Sequence, residues 1–99
     1  MNKSKAVLTV AVSALILSTS SLAAQTQVNM AKITCGELLN SYVEEVAVVG
    51  VWMSGFYNGK RNNTTINIKT LKSNSERVTD FCSKNPKLTV MKAIETVAH

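Results

Sequence analysis

Two cysteines, Cys35 and Cys82, stand 47 positions apart behind an N-terminal segment with the layout of an export signal. The chain opens with Lys3 and Lys5 and continues with an apolar run from Ala6 to Leu17. Small and polar residues follow, ending in Ser21-Leu22-Ala23-Ala24. A basic start, a short apolar core and small residues at the cut define a secretory signal peptide. Export places the cysteines in an oxidising compartment, where a lone pair in a small domain forms one disulfide.

A transmembrane helix needs about 20 apolar residues, and the run here is shorter. No stable membrane insertion is therefore expected once residues 1–23 are removed. Cleavage is placed after Ala23, which puts small Ser21 and Ala23 at the two positions that matter most; cleavage after Ala24 would put Leu22 there instead. The segment lacks an organelle-type Arg-rich leader, so the expected destination is the periplasm of a Gram-negative bacterium. Residues 24–33 are expected to form a flexible leader and residues 34–99 the folded domain.

The remaining chain of about 76 residues buries only about 60% of its unfolded surface, which leaves little net stability. A Cys35–Cys82 bridge would close a loop that the chain-entropy treatment values at roughly 4 kcal/mol. A metal or redox role is the alternative reading of these cysteines. Metal sites need clustered ligands, whereas the only histidine is His99 and no C-x-x-C occurs. No metal and no cofactor is expected.

The formal charge is +5, or +3 once Lys3 and Lys5 leave. Basic residues are scattered, with one pair at Lys60-Arg61. Nucleic-acid binders concentrate charge on one face, so no nucleic-acid partner is expected. Catalysis also finds no support. No histidine lies inside the domain, Ser54 has no imidazole partner, and Glu44 and Glu45 are adjacent, pointing about 100° apart on a helix. The chain is read as no enzyme.

Local signals predict an all-α domain of four helices. Thr34-Cys35-Gly36-Glu37 matches the capping box T-x-x-E, starting a short helix with Cys35 in its first turn. The second helix is expected over about Glu44 to Tyr57. Its two glutamates suit the positive N-terminal end. Val46, Val49, Gly50, Met53 and Tyr57 recur at helical spacing, and Trp52 and Phe56 extend the apolar surface onto a second face. Two readings of this helix stand: a plain core helix, or a helix that also forms a dimer or client surface. In the second, Gly50 and Gly55 would let a partner backbone approach. Gly59 is expected to stop the helix. Ile66 and Ile68 suggest a short extended segment. A third helix is expected over about Thr70 to Ser83, with Leu71, Val78, Phe81 and Cys82 as its stripe, ended by Asn85-Pro86. A last helix is expected over about Leu88 to Ala98.

The runs T-C-G-E-L-L, V-G-V-W-M-S-G-F-Y-N-G and V-T-D-F-C-S-K-N-P, in that order and with that cysteine spacing, resemble the HdeA/HdeB family of periplasmic acid-stress chaperones. The resemblance covers nearly the whole exported chain. It implies a small helical fold with one disulfide, matching Cys35 and Cys82. It also implies a homodimer near neutral pH that opens in acid and holds unfolding periplasmic proteins. By that resemblance, Val46, Val49, Trp52, Met53 and Phe56 carry the dimer and client surface. Acid would discharge Glu37, Glu44, Glu45, Glu76 and Asp80, together with Glu95, and carry the exported chain from +3 to roughly +10. The alternative function is a disulfide-stapled periplasmic structural or binding module without acid activation.

Overall fold

A computed structural model describes Leu22 and residues 26–98. The expected signal peptide therefore lies outside the described residues, apart from Leu22. The order of elements is a 3-10 turn at Met30–Lys32 followed by four α-helices. These are α1 (Cys35–Leu39), α2 (Val43–Lys60), α3 (Ile68–Lys84) and α4 (Val90–Val97). No strand forms among the described residues; Thr34 and Thr89 make an isolated antiparallel bridge.

Side chains that satisfy orphan backbone groups set the boundaries. At α1 the full capping box forms: the Glu37 amide donates to Thr34 Oγ1 at 3.1 Å, and the Thr34 amide donates to Glu37 Oε1 at 2.9 Å. At α2 the Tyr42 amide donates to Glu45 Oε1 at 2.8 Å, so Glu45 serves the helix start directly. Asn67 caps α3 by accepting from the Thr70 amide, and Thr89 caps α4 by accepting from the Lys92 amide.

The stop of α2 corrects the expectation that Gly59 ends it. The helix runs on to Lys60, and the left-handed residue is Asn62, with φ 55°. The Asn63 amide donates to the Asn58 carbonyl, and the Asn62 amide to the Gly59 carbonyl. That is the Schellman pattern, and asparagine tolerates the positive φ it needs. The segment around Ile66 and Ile68 also differs from expectation. Residues 63–67 have no regular structure, and Ile68 is the first residue of α3, because the Asn67 cap starts that helix earlier than the apolar stripe suggests.

Cys35 and Cys82 are bonded, with Cα atoms 4.8 Å apart and both side chains fully buried. The bond joins the first turn of α1 to the last turn of α3. Gly36 lies beside it. A Cβ there would meet the Pro86 carbonyl oxygen at 3.2 Å, and the Gly36 amide donates to that oxygen. Glycine lets the two segments approach closely enough to bond. The Cys35 amide donates to Leu88, the Val90 amide to Ile33, and Arg77 Nε to the Val97 carbonyl. These links tie the 3-10 turn, α1, α3 and α4 into one stapled body.

The core has two parts. Cys35, Val78, Cys82 and Ala93 surround the disulfide. Leu22, Ile33, Leu38, Val49, Met53 and Val90 form the other, with Val28, Met30 and Tyr57 packed against it. The segment expected as a leader thus contributes Val28, Met30 and Ile33 to the packing. Leu22, which the expected cleavage would remove, fills part of this core in the full chain. Close packing joins α3 to α4 and α1 to both, whereas α2 lies further out. It meets the body through the side chains of Val49, Met53 and Tyr57.

Candidate functional site

The long helix α2 is apolar all round, and the body covers one side of it. Val49 and Met53, four residues apart, share the stripe that enters the core and are 3% and 2% exposed. In this conformation both are held against the body, and Trp52 and Phe56 of the second face are the more exposed. Val46, Trp52 and Phe56 lie on the flanks at 38%, 40% and 37% exposure. The far side carries Val43, Val48 and Val51, all more exposed than Trp52. The sequence reading omits those three, although its own finding of apolar residues on every face includes them. Gly50 and Gly55 have no atom within 4 Å of where a Cβ would stand, so α2 is open at both.

Aromatic stacking orders part of this surface. The Trp52 and Phe56 rings are parallel, with centroids 5.1 Å apart, one helical turn along. Tyr57 meets Phe56 edge to face at 5.2 Å. Lys60 Nζ stands 5.2 Å from the Phe56 centroid, an attraction between cation and ring face. Lys60 also complements the negative end of the helix.

One polar contact joins the aromatic turn to the body. Tyr57 Oη donates to Glu95 Oε2 at 2.8 Å, linking α2 to α4. Burial, then the hydrogen bond and charge of Glu95, push the Tyr57 hydroxyl up to about 12. Sequence reasoning misses this pair because nothing local connects residues 38 positions apart.

Between α2 and α3 runs a groove of about 360 Å³. Val46, Val49 and Met53 form one wall, Leu71 and Val78 the other, and Ile94 of α4 the floor. Its loop end is polar, with Arg61, Asn63 and Asn67. A smaller hollow on the other side of α2 is lined by Leu22, Val28, Met30 and Val48, with Glu44 and Glu45 at its edge.

The remaining carboxylates lie apart from this surface. Glu37 and Glu45 serve helix starts, as described above. Glu76 pairs with Lys72 at 2.8 Å and Asp80 with Lys84 at 3.3 Å, both pairs well exposed on α3. The hydrogen bond and charge of Lys72 hold the Glu76 carboxyl below the ordinary carboxylate range. No cluster of His, Cys, Asp or Glu suited to a metal ion occurs among the described residues, and no helix there is long and apolar enough to cross a membrane.

A profile described as the HdeA/HdeB family matches residues 5–92. No curated protein and no solved structure matches. The matched span covers residues 5–23 of the expected signal segment, both cysteines, all of α2 and the first three residues of α4. Four helices around a Cys35–Cys82 bond, with an apolar α2 on their flank, fit the resemblance carried by the three sequence runs. The chain belongs to the HdeA/HdeB family, whose members are periplasmic acid-stress chaperones rather than enzymes.

Proposed function

We propose that this chain is an acid-activated periplasmic holdase in which α2 is the moving part. The observation that carries the reading is the contrast between a stapled body and an apolar helix laid on it. A disulfide and a set of backbone hydrogen bonds join the 3-10 turn, α1, α3 and α4. Apolar contact through Val49 and Met53 and the Tyr57–Glu95 hydrogen bond hold α2.

Charge-assisted hydrogen bonds are the stronger kind, so acid strong enough to discharge carboxylates weakens the Tyr57–Glu95 and Tyr42–Glu45 contacts that hold α2. Lys72 stabilises the ionised form of Glu76, so this pair contributes stability above the ordinary carboxylate value. The contribution is lost as pH falls through the lowered one. Full exposure keeps that part small. Net charge rises toward roughly +10, and like charges repel across the molecule. Release of α2 would add Val49 and Met53 to the surface that Val48, Val51, Trp52 and Phe56 already present. Each large side chain is worth about 1.5–3 kcal/mol when reburied against an unfolded protein. The disulfide keeps the body closed, so opening is partial and reversible.

Near neutral pH the outer face of α2 is proposed to pair with a second copy, which would cover Val48, Val51 and Trp52 until acid separates the two. Light scattering from an acid-sensitive periplasmic protein, with and without the oxidised chain, tests the function between pH 2 and pH 5. Suppression of aggregation is expected. None anywhere in that range would favour the binding-module reading, which the apolar residues already exposed on α2 also fit.

A further inference from the structure

We propose that the groove between α2 and α3 binds a single-chain anionic amphiphile, its acyl chain along the apolar walls and its head at Arg61. This site goes beyond client holding and does not depend on acid opening. Apolar side chains line both sides, Val46 with the edges of Val49 and Met53 on one and Leu71 and Val78 on the other, above Ile94, with the polar Ser54, Thr70, Asn74 and Thr79 among them. At about 360 Å³ the groove falls near the lower end of small-molecule sites. A groove of that volume has room for a short acyl chain and its head.

Charge selects the head. Arg61 is the one charged residue among those lining the groove, and no carboxylate lines it among the described residues. Tyr57, which lines the groove, donates to the Glu95 carboxylate, which does not. Arg61 is held in place: its Nη2 donates to Asn58 Oδ1 at 2.8 Å, and Asn63 Nδ2 donates to the same oxygen at 3.1 Å. A guanidinium has five donors in a planar fork, so one such bond leaves others for a carboxylate or phosphate. A groove whose apolar side chains run from Val46 and Leu71 toward an oriented guanidinium is complementary to an acyl chain that ends in an anion.

The test uses the oxidised exported chain at pH 7, titrated with decanoate, decyl phosphate and decyltrimethylammonium below their micelle concentrations. Binding is followed by calorimetry and amide chemical shifts. The two anions are expected to bind saturably at one per chain, with shifts confined to Val46, Leu71, Val78, Ile94 and the loop around Arg61. The relative affinity of decanoate and decyl phosphate identifies the preferred head, carboxylate or phosphate. The cation is expected to bind at least tenfold more weakly. Arg61→Gln should weaken decanoate about tenfold while leaving decanol unchanged, and Leu71→Glu should weaken all of them. Leu71 is partly exposed, and circular dichroism like that of the parent confirms that both variants fold. Equal binding of the cation, no saturable decanoate binding up to millimolar concentration, or shifts on the Val48–Trp52 face would each overturn the proposal. So would binding to anionic phospholipid vesicles without binding to monomeric decanoate, which would indicate a membrane-surface contact instead.

Discussion

Removing the Tyr57 hydroxyl separates a latch from a bystander. Tyr57 Oη donates to Glu95 Oε2 at 2.8 Å across the α2–α4 contact. A hydrogen bond to a charged acceptor contributes about 1.5–3 kcal/mol. Both groups are partly solvated here, so the expected value is nearer about 1 kcal/mol. At RT of about 0.6 kcal/mol, losing it raises the population with α2 released about fivefold. Tyr57→Phe should therefore increase binding of an apolar dye at pH 7 several-fold and shift acid opening to higher pH. Glu95→Gln keeps an acceptor but removes the charge, so it should give a smaller increase at pH 7. The double variant should resemble Tyr57→Phe alone, since each acts through the other. The alkaline side provides an independent check. The tyrosine is raised from 10.0 to about 12 in the folded chain. Its contribution is fully present below about pH 10 and is lost as pH rises through about 12. The parent should lose stability in that window, and Tyr57→Phe should not. Unchanged dye binding and an unchanged acid midpoint in Tyr57→Phe would refute the latch.

Three further outcomes are expected. Thiol labelling of the oxidised chain should find no free cysteine, and Cys35→Ser should cost about 2–5 kcal/mol by chemical denaturation. Asn62→Val should destabilise by about 1–2 kcal/mol because Asn62 has φ 55°, whereas Asn62→Gly should be nearly neutral. The mass of the exported protein should place its N-terminus at Ala24. The chain without Leu22 should then melt lower than one cut upstream of Leu22, because Leu22 is 7% exposed against Val49 and its neighbours.

Much of the fold was legible in local chemistry. The Thr34–Glu37 capping box forms as the spacing predicts, and the cysteine pair behind an export segment is bonded. Helix ends were less legible. Gly59 is the commoner stop, but the backbone turns at Asn62, where an asparagine accepts the left-handed conformation. The apolar character of α2 was visible, and so was its division into a Val49–Met53 face and a Trp52–Phe56 face. Valine spacing alone does not say which side the body covers, and it covers Val49 and Met53 rather than Trp52. The Tyr57–Glu95 latch and the groove had no local signal. The latch joins residues from two helices, and the groove needs walls from α2 and α3 over a floor from α4.

Amide hydrogen exchange of the oxidised chain at pH 7 and pH 3, read as protection of each residue, tests most directly whether acid frees α2. The account predicts that residues 46–57 lose protection at pH 3 while Val78, Cys82 and Ala93, packed around the disulfide, keep theirs. Protection that persists in α2 at pH 3, or is lost evenly from α2 and the stapled body, would contradict it.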